Sequence, residues 1–204
     1  MKRLWSVLAI AALLLILPAR DVAAQRFGIK GGLQWSEFRG ETGDPNIEFQ
    51  TRKSFSGGVY FRLRLVGIDL QPEILYSKRG AVVHDASLPP ETATQTWELD
   101  YVEVPVLLHF GSAPTFFLGG YGAVRVNSRV VTGVLGEGGT ELDISSSVEN
   151  LDYGLVFGAG VQSGKLGLEV RYTLGLRKLF KGQGGEAAPD TEHRALGLFA
   201  SLSF

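Results

Sequence analysis

The chain has 204 residues, 45% of them hydrophobic and 20% charged, with a formal net charge of −1, three His and no Cys. That length suits one domain. The missing Cys excludes a disulfide scaffold and thiolate metal centres, and the charge balance argues against a nucleic-acid binder, which would be basic. Glycine stands out at 27 of 204 residues, nearly double the usual share of about 7%. These glycines sit inside apolar stretches and follow neither a linker nor a collagen-like pattern.

Residues 1–24 read as a cleaved secretory signal peptide. Met1-Lys2-Arg3 is a positive start, Leu4 to Leu17 is almost wholly apolar, and Val22-Ala23-Ala24 offers a small-residue cleavage site. The apolar run of about 14 residues is too short to span a bilayer as a helix. No Cys follows it, which disfavours a lipid-modified N-terminus. Without Lys2, Arg3, Arg20 and Asp21 the chain carries 17 basic and 20 acidic side chains, a charge of −3. No later segment reaches 18 apolar residues, so no transmembrane helix is expected.

From residue 25 onward the sequence alternates with period two, the strand signature. Eight runs follow in order. Their apolar positions are Phe27 to Trp35, Phe55 to Leu65, Ile68 to Tyr76, Val102 to Phe110, Phe116 to Val126, Leu151 to Val161, Leu166 to Leu176 and Leu196 to Phe204, each taken every second residue. At about 10–12 residues each, they exceed ordinary soluble strands and suit tilted strands crossing a bilayer. The fourth run leaves its phase most open, because Pro105 and Leu107 on its other face are also apolar.

The links sort by length. Val66-Gly67, Gly111-Ser112-Ala113-Pro114 and Ser163-Gly164-Lys165 are tight, whereas 37–53, 79–98, 127–150 and 178–193 are long and polar. Strict alternation puts short turns on one rim and long loops on the other, as in outer-membrane barrels. The predicted fold is all-β: an eight-stranded antiparallel up-and-down transmembrane β-barrel over residues 25–204.

Charge then assigns the faces. With the apolar set outward, the other set holds Lys30, Arg62, Arg64, Asp69, Glu73, Glu103, Arg125, Asp152, Glu169, Arg171 and Arg177. The apolar set carries charge only at its margins, at Lys78, Asp100 and Arg194. A lipid-facing Arg or Lys at the midplane would cost about 2–4 kcal/mol. Glycines fall heavily among the charged set, at Gly28, Gly32, Gly58, Gly154, Gly158, Gly160, Gly167 and Gly175. Trp35, Tyr76 and Tyr153 mark the loop side, and Phe110 and Phe116 the turn side, like two interfacial girdles. Eight strands leave an interior that side chains just fill. The eleven charges are therefore expected to pair as a structural lumen network rather than to line a wide pore.

Three segments resemble the PorT-like outer-membrane β-barrel family of Bacteroidetes-type bacteria: Gly-Ile-Lys-Gly-Gly-Leu (28–33), Leu-Gln-Pro-Glu-Ile-Leu-Tyr-Ser (70–77) and Tyr-Val-Glu-Val-Pro-Val-Leu-Leu (101–108). The resemblance implies an integral outer-membrane barrel, exported through its signal peptide. Some family members serve a protein-secretion system. The last strand, ending Leu202-Ser203-Phe204, is similar to the signal read by the barrel-assembly machinery, which makes Phe204 an assembly residue and that machinery a partner during biogenesis.

The expected function is non-enzymatic: a structural or binding role at the cell surface, carried by external loops. The expected surroundings are outer-membrane lipid, with no nucleic acid, no cofactor and a loop-bound partner that sequence does not identify. The alternatives are a lipid-modifying barrel enzyme, a secretion-system component and a soluble lipocalin-like barrel. His84 and His193 fall in or beside long loops and His109 near the turn-side rim, so one shared metal site is not expected. No Ser–His spacing marks a nucleophile and its base. The Gly158-Ala159-Gly160 stretch with Gly164 lacks the dinucleotide spacing. The acidic stretch Glu137, Glu141, Asp143 and Glu149 reads as a solvated loop rather than a calcium site.

Overall fold

The computed structural model describes residues 25–39, 47–85, 87, 94–132, 140–143, 148–178 and 191–204. The signal-peptide reading of residues 1–24 lies outside these, as does Glu137. Among the described residues nine strands follow one another: β1 Gln25–Arg39, β2 Ile47–Arg64, β3 Asp69–Asp85, β4 Thr94–Phe110, β5 Thr115–Thr132, β6 Thr140–Asp143, β7 Leu151–Ser163, β8 Leu166–Gly175 and β9 Glu192–Ser203. Among the described residues no helix is long and apolar enough to cross a membrane.

Eight strands close into one all-antiparallel barrel. Each long strand pairs with its neighbours in sequence, β5 with β7, and β1 meets β9 from Gly28↔Ser203 to Arg39↔Glu192. Closure leaves no sheet edge, which is what lipid demands, since an unpaired backbone group there would cost several kcal/mol. Short β6 lies outside the ring of eight. It pairs with the far end of β5, Arg129↔Asp143 to Thr132↔Thr140, above the point where β7 leaves it.

The three tight links are residues 65–68, 111–114 and 164–165, and they share one rim. Gly67 (φ 83°), Gly111 (φ 85°) and Gly164 (φ 57°) occupy their left-handed positions, where a side chain is strained. The opposite rim differs from the sequence expectation. Much of what reads as long loop is strand: β2 begins at Ile47, β3 runs to Asp85, β4 starts at Thr94 and β5 continues to Thr132. These extensions carry polar and charged residues on both faces, so they lack the apolar alternation that marks a lipid-crossing segment. A register shift between Asp100 and Tyr101, opposite β5, marks where extension meets barrel.

The outward face is apolar in all eight phases. Leu33, Leu118 and Val161 are 58%, 53% and 54% exposed, while Leu75, Leu107 and Val156 on the other face are at most 1% exposed. An apolar belt this continuous far exceeds the few hundred Å² a soluble monomer tolerates. On β9 it runs from Leu196 to Phe204. Nine residues at about 3.3 Å rise, tilted roughly 40°, cover about 23 Å, close to the band height of outer-membrane barrels. The interior holds the charged side chains together with residues such as Leu75, Leu107 and Val156, while the apolar belt faces out, which overturns the lipocalin-like alternative: a soluble barrel turns its charged set to water.

Candidate functional site: the lumen plug and the turn-side vestibule

Period-two alternation aims every second residue of each strand at the axis, and the interior charges meet there in two layers. The turn-side layer centres on Glu73 of β3. Its Oε1 accepts from Lys30 Nζ at 2.7 Å, Gln71 Nε2 at 2.6 Å and Arg171 Nη2 at 3.0 Å. Lys30 and Arg171 also bind Glu169 Oε1, at 2.8 and 2.7 Å. The Arg171 guanidinium lies 5.0 Å from the Phe199 ring centroid and 5.7 Å from that of Phe117. Two cations and two carboxylates thus form a closed ring of charge-assisted bonds.

The loop-side layer centres on Arg79. It bridges Glu103 at 2.6 Å and Asp152 at 2.6 Å, and packs 4.9 Å from the Tyr121 ring and 5.1 Å from that of Tyr101. Tyr121 donates to the same Asp152 oxygen at 2.8 Å. His193 Nδ1 lies 3.5 Å from Arg79. Glycines make room for the rings: a methyl at Gly154 would sit 2.7 Å from the Tyr121 ring and collide with the Leu174 carbonyl.

Seven of the eleven sequence-selected residues belong to this interior: Lys30, Arg62, Glu73, Glu103, Asp152, Glu169 and Arg171. The other four do not meet in the lumen and correct the expectation. Arg64 and Asp69 sit at the turn-side rim, 3.7 Å apart, with the Arg64 side chain 61% exposed. Arg125 is at the loop end, bonded to Asn150 and to the Val148 carbonyl, with Ser128 against it. Arg177 pairs there with Glu149 at 3.0 Å. Strand length is the reason: an interior phase that runs past the bilayer ends in water.

The sequence reading missed Arg79 because it placed residue 79 in a loop. The inward series Gln71, Glu73, Leu75 and Ser77 continues to it, and that continuity was the available signal. Likewise His193, expected in or beside a loop, is 2% exposed inside β9, and His109, expected near the rim, is 4% exposed and faces inward on β4. His84 lies at the loop-side end of β3, 3.3 Å from Thr94. Among the described residues no His bonds a Ser, and no three His or acidic residues gather as a metal site.

Above the membrane band, Arg52 of β2 crosses β3, donating to the Arg79 carbonyl at 3.0 Å, and reaches Glu98 of β4 at 2.6 Å. Arg129 of β5 holds the other Glu98 oxygen at 2.7 Å. Burial works to raise the Glu98 carboxyl pKa, but the Arg129 hydrogen bond and the two guanidinium charges outweigh it, so it lies below the ordinary value. This strut ties four strands together outside the lipid. At the other end, the mouth opens as a vestibule of about 460 Å³ lined by Arg26, Arg62, Arg64, Asp69, His109 and Gln162 among others.

Arg79, Tyr101, Leu107, Gln71 and Glu73 are each less than 2% exposed. The described interior is therefore packed with side chains.

The comparisons with known proteins agree with this architecture. Residues 23–181 match the family described as outer membrane protein beta-barrel domain. No curated protein matches the sequence. Among solved structures, the chain is similar to Neisserial surface protein A, with TM-score 0.53 and 12% identity over 87% of this chain and 97% of that one. It also aligns with Ail, the attachment invasion locus protein of Yersinia pestis, with TM-score 0.45 and 12% identity over 89% and 99% of the two chains. A closed eight-stranded ring, a lipid-compatible outer belt and a family match over most of the sequence lead to one assignment: the chain belongs to the outer membrane protein beta-barrel domain family and is an integral outer-membrane β-barrel.

Proposed function

We propose that this barrel is a non-enzymatic, non-conducting scaffold whose loop-side strand extensions present a binding surface outside the cell. The observation that carries this reading is the pairing of a plugged lumen with a stiffened outer end. Conduction through the axis would require breaking the Arg79 and Glu73 clusters. The Arg52–Glu98–Arg129 strut and the β5–β6 pairing fix strands well beyond the lipid. Rigid elements carrying variable loops are the usual platform for recognition.

A narrower kinship with PorT-like barrels belongs to the same proposal. It is supported by segments 28–33, 70–77 and 101–108, which supply Lys30, Glu73, Glu103 and their neighbours to the plug. Planar-bilayer recording on the refolded protein tests the central reading. The expected record is a silent membrane, whereas steady porin-like channels would refute it. A changed lipid profile on incubation with outer-membrane lipids would refute the non-enzymatic part. Loss of secreted proteins on gene deletion would replace the surface-scaffold role with secretion.

A further inference from the structure

We propose that the turn-side vestibule is a binding site for a phosphate-class oxyanion, held by Arg62 with Arg26 and Arg64 at the rim, above the buried ring of His109. Charge gives the first reason. The turn-side interior holds Lys30, Arg171 and Arg62 against Glu73 and Glu169, one cation in excess. The excess resides on Arg62. Its Nε donates to Gln71 Oε1 at 2.6 Å and its Nη1 to Gln162 Oε1 at 2.8 Å, both neutral acceptors. No carboxylate among the described residues pairs with it. A partly buried cation without a counter-charge is unfavourable, and a bound anion removes that cost.

The two amides are fixed rather than adaptable. Gln71 Nε2 is committed to Glu73 at 2.6 Å, and Gln162 Nε2 to Ser203 Oγ at 3.0 Å. Each therefore turns its oxygen to Arg62. They hold the guanidinium in place without cancelling its charge, and its Nη2 has no acceptor among the described residues. This is the arrangement of an anion receptor: an oriented fork of donors with its charge intact.

His109 supplies the second, independent observation. The residue is 4% exposed, its ring packs 5.0 Å from the Phe117 ring, and its Nε2 is buried with no partner among the described residues. It lines both the vestibule and a smaller cavity of about 20 Å³ beneath it, which also touches Arg62 and Glu169. The ring nitrogen is sealed from the cavity above it, so His109 lies directly beneath the basic cavity as a buried polar group that senses charge placed there. The vestibule's ionised lining is otherwise three guanidiniums and one carboxylate, Asp69, which sits 3.7 Å from Arg64. At about 460 Å³ it falls within the size range of small-molecule sites. Its mouth faces the periplasm, as the short-turn end does in this class. Phosphate reaches that mouth either free in solution or as the headgroup of a phospholipid in the adjacent leaflet.

The test uses the full barrel refolded in zwitterionic detergent, with ¹⁵N-labelled histidine and imidazole spectra read at constant ionic strength. Inorganic phosphate replaces chloride stepwise. A parallel arm compares micelles of a phosphate-free zwitterionic detergent with and without added phosphatidylglycerol. The expected result is a saturable shift of the His109 ring, with His84 and His193 unmoved, and a midpoint at least ten-fold higher in Arg62→Gln. Saturation by inorganic phosphate alone assigns a soluble ligand, and a shift on adding phosphatidylglycerol alone assigns a headgroup. Both support the site. No saturable shift in either arm overturns it, as does an unchanged midpoint in Arg62→Gln. Heat-dependent gel mobility reports folding. If Arg62→Gln does not fold, the double variant Arg26→Gln/Arg64→Gln at the exposed rim takes its place. A midpoint raised two- to five-fold there supports the site, and an unchanged one overturns it.

Discussion

Neutralising Glu73 is the most demanding perturbation of the plug. In Glu73→Gln the side-chain volume and one acceptor oxygen survive, but the charge is lost. Glu73 has a fully buried side chain and receives Lys30 at 2.7 Å and Arg171 at 2.9 Å. At an effective dielectric of about 20, one such contact is worth roughly 6 kcal/mol before desolvation. Desolvation of both partners offsets most of that in the intact cluster. Once the carboxylate is gone, Lys30 and Arg171 stay desolvated and share only Glu169, so the net loss falls near 3–5 kcal/mol. The assay is urea unfolding in lipid vesicles, followed by tryptophan fluorescence and heat-dependent gel mobility. The double variant Lys30→Met/Glu73→Gln removes one charge of each sign, leaving Arg171 against Glu169. It should recover at least about 1.5 kcal/mol relative to the sum of the single changes. A loss below about 1 kcal/mol for Glu73→Gln, or strict additivity in the double variant, would refute the view that these charges stabilise one another.

Three further outcomes are expected. Gly154→Ala forces the Tyr121 ring off its seat beside Asp152, and overpacking of this kind costs about 1–3 kcal/mol in the same unfolding assay. The Glu98 carboxyl, whose pKa is lowered in the fold, contributes stability that is complete above its unfolded value and lost as pH falls through the lower folded value. Backbone protection from hydrogen exchange in residues 95–99 and 129–132, taken relative to the intrinsic rate at each pH, should therefore fall on acidification through that window, and Glu98→Gln should flatten the response. Deleting Phe204 removes its stacking on Phe27, 6.3 Å between centroids, and its N–H bond to the Phe27 carbonyl at the β1–β9 seam. Slower folding into vesicles, read by gel mobility, is the expected result for a seam residue.

How much was legible in the sequence follows from what lipid imposes. A strand between hydrocarbon and a polar lumen must alternate, so the phase of all eight strands could be read from residues such as Leu118 against Phe117 and Leu198 against Phe199. The fourth strand resolves for the same reason: Leu107 is sealed inside while Val106 and Leu108 face out. Beyond the bilayer that constraint ends. The extensions of β2, β3, β4 and β5 are held by ion pairs and backbone ladders, and β3 runs through Arg79 into a segment without the apolar alternation that marks the barrel wall. Pairing of the lumen charges was legible as a balance of signs. Which carboxylate Arg79 or Lys30 meets depends on shear between strands, which no local pattern encodes.

The absence of Cys makes single-cysteine spin labelling along β5 the most direct test of the central claim. Labels placed one at a time from Phe116 to Val124, in vesicles, report collision with dissolved oxygen. Oxygen accessibility is predicted to oscillate with period two, high at residues 116, 118, 120, 122 and 124 and low at 117, 119, 121 and 123. A flat profile, or one of opposite phase, would contradict a barrel with lipid outside and a plugged polar lumen.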